Sequence, residues 1–134
     1  MTYSLTDTAF AEWLEGYRTA WEQRDPALAA ALFTEDASYR ETPYDEPMQG
    51  REAIRDYWAR VVAGQKDVRF TYEIFACAGA EGVCRWHAAF TGVPGGEAIN
   101  LDGIFRCRFA DQRHVDRLEE WWHIRIVPPA AEAE

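Results

Sequence analysis

The sequence predicts an α+β fold, with three N-terminal helices packed on a curved antiparallel sheet around an internal pocket. Two observations carry this. Apolar residues recur with a period near 3.6 up to Val62 and with a period of two from Val68 onward. The turns after that change are short, so consecutive strands pair as an antiparallel meander.

The first helix is marked by Phe10, Trp13, Leu14, Tyr17, Ala20 and Trp21, which share one helical face. Thr6, Asp7 or Thr8 caps its start. Asp25 and Pro26 restart the chain as N-cap and first helical residue, giving a short second helix over 27–33. A strand over about 37–41 follows, then a loop over 42–49 that contains Pro43 and Pro47. Gly50 opens a third helix with Ile54, Tyr57, Trp58, Val61 and Val62 on its apolar face, and Gly64 ends it. Four alternating stretches complete the chain, over 68–74, 84–90, 101–109 and 118–126, each with one apolar face. Pro128 and Pro129 stop the last strand, and the tail from about 128 is expected to fray. Long strands curl, and a curled sheet closed on one side by helices leaves a hollow. With no repeat and no composition break, residues 1–134 read as one domain.

The formal charge of −9 argues against nucleic acid, since such a surface repels phosphate. No apolar run approaches bilayer length and no basic cluster favours an anionic membrane surface. The polar stretch at 1–7 does not read as an export signal. Cys77, Cys84 and Cys107 form no CxxC pair, and His87, His114 and His123 lack metal-ligand spacing. The expectation is a cytoplasmic protein with no metal and no cofactor. Six Trp, six Tyr and seven Phe are more large rings than a core of this size needs, and a lined cavity would use them.

Three phrases carry a family resemblance: "GYRTAWEQRDP" at 16–26, "LFTEDASYRETPYDEPMQGREAIRDYW" at 32–58 and "FRCRFADQRHVDRLEEWW" at 105–122. With the order helix, helix, strand, helix, four-strand meander, the chain resembles the nuclear transport factor 2-like superfamily. Within it, the chain is similar to SnoaL-like polyketide cyclases and ketosteroid isomerases. The resemblance implies a cone-shaped fold. It places the isomerases' oxyanion-hole tyrosine at Tyr17 and their general-base carboxylate at Glu41. Their second, protonated oxyanion-hole acid falls at Phe105 and is absent, and their supporting tyrosines fall at Phe33 and Trp58. The Arg-x-Asp pairing of limonene-type epoxide hydrolases is unmatched, because Asn100 stands two before Asp102.

The candidate catalytic residues are therefore Tyr17, Glu41 and Glu120. Tyr17 faces inward, either as a core tyrosine bonded to a backbone carbonyl or as a donor to a ligand oxygen. Glu41 shares strand parity with Tyr39. It is either a desolvated base or a rim residue paired with Arg40 or Arg51. Glu120 interrupts an apolar face between Leu118 and Trp122, and Ile124 and Ile126 continue that inward parity; a slip by one would turn Glu119 and Trp121 inward instead. Trp21, Tyr39, Trp58, Phe70, Trp86, Phe90, Phe105 and Trp122 are the expected ligand-contacting rings, with packed core as the alternative. Asp102 is outward by parity. The opposite sheet face carries Arg85, His87, Arg106, Arg108, Arg117, Glu119, His123 and Arg125 around Trp121. In this family such a face often forms a two-fold interface, so a homodimer is expected.

Three functions are compatible with these residues. The first is cofactor-free acid–base catalysis (isomerase, cyclase or dehydratase type) on a small apolar carbonyl compound. The second is binding of a small apolar molecule without chemistry. The third is a dimeric scaffold whose core is filled by its own side chains.

Overall fold

The computed structural model of the chain describes residues 3–129. Helix α1 spans Asp7–Glu22 and buries the six residues of the expected face. Its N-cap is Thr6, whose hydroxyl accepts the Ala9 N–H at 3.1 Å. Asp25 caps α2 (Pro26–Ala30) by accepting the Ala27 and Leu28 N–H groups. This helix is shorter than the sequence predicts, because Phe33 already belongs to strand β1 (Phe33–Arg40). Phe33 pairs with Val115 and its ring is fully buried, so tertiary pairing overrides the local helical preference there. Part of the expected 42–49 loop is also ordered: β2 (Met48–Gln49) pairs antiparallel with Ser38 and Tyr39.

Helix α3 (Arg51–Ala63) lies between two glycines. Gly50 has φ +93°, a backbone region that a Cβ disfavours, and its N–H bonds to Ala37 O at 2.8 Å. Strands β3 (Gln65–Ala78), β4 (Glu81–Gly92), β5 (Ala98–Phe109) and β6 (Val115–Val127) form the expected meander. The sheet order is β2-β1-β6-β5-β4-β3. One pairing, β1 with β6, is parallel, so the sheet is mixed and not wholly antiparallel. That contact is made between strands far apart in sequence, and local periodicity carries no trace of it.

The inner face of the sheet follows the expected parity. Phe70, Cys84, Trp86, Ala88, Phe105, Cys107, Phe109, Leu118 and Glu120 are all buried against the helices. Parity fails as a guide at the far end of β6, where Ile124 and Ile126 share the inward face but are 50% and 55% exposed. They run beyond the helices and form the open end of the cone. No helix among the described residues is long and apolar enough to cross a membrane.

Cys84 and Cys107 lie inside this wall. Burial pushes the Cys84 thiol up to about 12 and drives that of Cys107 well above its usual value. A thiolate is the reactive form, so a thiol reagent is expected to label neither residue until the protein unfolds. Rapid labelling of either in the native protein contradicts this packing.

Candidate functional site

A cavity of about 310 Å³ opens between α1, α3 and the inner sheet face. Helix α1 contributes Tyr17 and Trp21, and α3 contributes Tyr57, Trp58 and Val61. The end of β1 supplies Tyr39 and Glu41, β4 supplies Trp86 and Phe90, and β6 supplies Glu120, Trp122 and Ile124. The helical and strand periods turn most of these side chains inward, and the β1–β6 pairing brings the end of β1 to β6. No lysine or arginine lines the cavity.

Its polar centre is a relay across three elements. The Tyr39 hydroxyl donates to Glu120 Oε2 at 3.1 Å, and the Tyr17 hydroxyl lies 3.1 Å from that of Tyr39. With the Tyr39 proton directed at Glu120, Tyr17 is the donor to Tyr39. Glu120 is 4% exposed. Burial raises its carboxyl well above the usual range and the charge of Glu41 adds to the rise, against the lowering effect of the Tyr39 hydrogen bond. Burial thus favours the protonated form of Glu120. Burial, and then the charge of Glu120, also hold the Tyr17, Tyr39 and Tyr57 hydroxyls well above their usual value. All three are protonated donors.

Glu41 sits one residue past β1. The parallel register pairs Tyr39 with Leu118 and Arg40 with Glu119, so the next step sets Glu41 beside Glu120. The Trp122 indole N–H donates to Glu41 O at 3.0 Å and pins this strand end to β6. Neither arginine offered as a partner in the alternative reading of Glu41 pairs with it: Arg51 donates to Phe33 O and Arg40 to Asp45 O. Glu41 is half-buried and in no ion pair among the described residues.

Most of the expected ring wall lines the cavity: Trp21, Tyr39, Trp58, Trp86, Phe90 and Trp122. Phe70 and Phe105 do not. They lie one layer back, fully buried, with ring centroids 6.2 and 5.0 Å from that of Trp86. Both also touch Tyr17, which closes the cone above them. Sequence reasoning missed Tyr57 and Gln65. Tyr57 was legible as part of the α3 face, but nothing in its spacing separated a pocket hydroxyl from a core ring. Gln65 follows the Gly64 stop and belongs to no period; its Oε1 accepts the Trp21 indole N–H at 2.7 Å.

On the opposite face, Asp102 is held by Arg85 at 2.6 Å, and a shallow depression beside it is lined by His87, His123 and Arg125. These side chains face solvent. Among the described residues no group of His, Cys, Asp and Glu could hold a metal ion.

This combination, a helix-closed cone with a ring-lined cavity and buried acid, defines a class. The profile of the SnoaL-like domain matches residues 14–117, and the chain belongs to that family. No curated protein matches it. Among solved structures it is similar to a protein of ketosteroid isomerase-like fold from Catenulispora acidiphila in complex with trimethylamine, with 19% identity and a TM-score of 0.72 over 82% of this chain and 84% of that one. It is similar as well to the epoxide hydrolase/cyclase-like enzyme SalBIII of pyran ring formation in the polyether salinomycin, with 17% identity and a TM-score of 0.77 over 90% and 97%. A computationally designed 17-OHP binder shares the fold at 17% identity and a TM-score of 0.76 over 89% and 97%. At these identities the likeness is one of fold.

Proposed function

We propose that the chain is a cofactor-free acid–base enzyme acting on a small, apolar, carbonyl-bearing molecule held in the cavity. The observation that carries this is Glu120: an acid side chain buried in the cavity and oriented by Tyr39, beside Glu41, which is in no ion pair among the described residues. Two carboxyl groups in environments this different divide the work of acid and base. Glu120 donates a hydrogen bond to the carbonyl oxygen as negative charge develops there, and Glu41 removes a proton from the adjacent carbon. Tyr17 and Tyr39 orient Glu120. The absence of Arg and Lys from the walls disfavours anionic substrates. The Catenulispora protein's complex with trimethylamine and the designed 17-OHP binder, which share this fold, support binding of a small molecule.

The test follows exchange of α-protons of cyclic ketones for deuterium by NMR. Glu41→Gln is expected to slow exchange by about 10²–10⁴-fold. Exchange by the intact protein no faster than in buffer, or unaltered by Glu41→Gln and Glu120→Gln, contradicts catalysis and leaves a binding protein.

We also propose a cytoplasmic homodimer joined through the outer sheet face. There the charges neutralise one another within the chain, through Arg85–Asp102, Arg106–Glu81 and Arg108–Asp116. Trp121, 42% exposed and paired across the strands with Ile104, is left as an apolar centre. Light scattering is expected to give about twice the 15.4 kDa chain mass, falling to one chain in Trp121→Glu. A wild-type monomer at micromolar concentration, or a dimer indifferent to that substitution, contradicts it.

A further inference from the structure

Apart from tyrosines, tryptophans and cysteines, two buried residues among those described carry a polar side chain: Glu120 in the relay, and Gln65, which is 6% exposed. Both line the same cavity. They enter it from different places along the sheet. Glu120 shares a row with Phe105 and Cys84, whereas Gln65 opens β3 and pairs with Gly92, the last residue of β4. The Gln65 amide has one orientation. The Trp21 indole N–H can only donate, so the atom that meets it at 2.7 Å is Oε1, and the NH2 group points elsewhere. The Arg24 guanidinium fixes the backbone beneath it by donating to Gln65 O at 3.0 Å. No described residue accepts a hydrogen bond from Gln65 Nε2. Nor is Nε2 one of the enclosed side-chain atoms without a partner, which are the Trp58 and Trp86 indole nitrogens and one Glu97 oxygen. An unpartnered atom that is not enclosed reaches open space, and for a residue this buried that space is the cavity it lines. A ligand that displaces solvent from such a donor loses affinity unless it supplies an acceptor.

We infer that Gln65 sets the specificity of the cavity, its Nε2 donating to an acceptor oxygen at the end of the ligand remote from Glu120. This role rests on the proposed use of the cavity. It narrows the ligand class to apolar compounds with an oxygen at each end, one for the relay and one for Gln65. A hydrocarbon end at this position leaves the amide without a partner. A site built around a hydrogen bond rejects an analogue lacking the matching group more sharply than an apolar wall rejects a change of size.

The experiment measures the affinities of two naphthalenes by calorimetry for the wild type and Gln65→Met. One compound carries acetyl groups at opposite ends. In the other, isopropenyl replaces one acetyl, which keeps the shape and removes the oxygen. In the wild type the diacetyl compound is expected to bind about five- to twenty-five-fold tighter, the range of one net hydrogen bond doubled because its two ends are equivalent. In Gln65→Met, whose thioether cannot donate, the ratio should fall to about two or below. Because the ratio is taken within one protein, altered packing cancels. A second readout needs no variant. The Gln65 side-chain amide protons, assigned by NMR through their contact with the Trp21 indole proton, should move further downfield with the diacetyl compound than with the isopropenyl one. A wild-type ratio of about two, or a ratio unchanged in Gln65→Met, overturns the role of Gln65. So does equal movement of those protons with both compounds. If neither compound binds the wild type, the cavity reading falls and takes this role with it. The expected ratios without ketone exchange by the wild type remove catalysis alone and leave the role of Gln65 in place.

Discussion

Replacing Glu120 by glutamine is expected to stabilise the protein at pH 8 by about 1–3 kcal/mol, roughly 5–10 °C in Tm, while abolishing the proposed acid chemistry. The sign follows from the raised carboxyl of the folded state. Below the ordinary carboxylate range Glu120 is protonated in both folded and unfolded chains and contributes no pH dependence. Above that range the unfolded chain releases the proton and the folded one keeps it. Stability therefore falls as pH rises, until the folded carboxyl itself ionises. Glutamine keeps an acceptor for Tyr39 and has no proton to lose, so this slope disappears. Thermal melts of both proteins between pH 5 and pH 9 check it. Parallel curves, or a variant less stable than the wild type at pH 8, contradict a neutral buried acid.

Gly103→Ala is expected to cost about 3 kcal/mol or more and to collapse ligand binding. Gly103 sits on β5 in register with Trp86 on one side and Trp122 on the other. A Cβ there would lie 2.6 Å from Trp121 O, 2.8 Å from Trp122 Cβ and 2.9 Å from Trp86 Cε2. The first two atoms are fixed to strand β6 and cannot swing away. The strands must part or Trp86 must tip into the cavity it lines. Urea unfolding measures the cost, and an unfolding free energy within about 0.5 kcal/mol of wild type shows that the glycine is not needed for this close approach.

The sequence and the structure agree where physics is local. The face of α1 was legible because six buried side chains must repeat with the helix, and the inward parity of Glu120 because Leu118 fixes the alternation of its strand. The Asp25-Pro26 restart and the Gly50 and Gly64 helix ends were legible from their backbone chemistry. What was not legible depends on packing between distant segments. Phe33 leaves its helix for a strand because Val115 is there to pair with it. Ile124 and Ile126 obey the inward period yet stand open, since no helix reaches over them. Phe105 and Phe70 share the parity of Trp86, but depth along the cone, which no period encodes, sets them behind it. The Tyr17–Tyr39–Glu120 relay is of the same kind. Each residue faced inward on the page, and only the parallel β1–β6 register brings the tyrosine of one strand to the acid of the other. Backbone carbonyls at Asp45 and Phe33 take up Arg40 and Arg51, which periodicity does not encode either.

The proposed chemistry turns on the protonation state of one side chain, Glu120. The most direct test is a carbon-13 NMR titration of the side-chain carboxyls, with the Glu120 signal assigned by its loss in Glu120→Gln. The Glu120 carboxyl carbon is expected to keep its protonated shift well after the solvated glutamates have titrated. A Glu120 signal that titrates together with those glutamates contradicts the account.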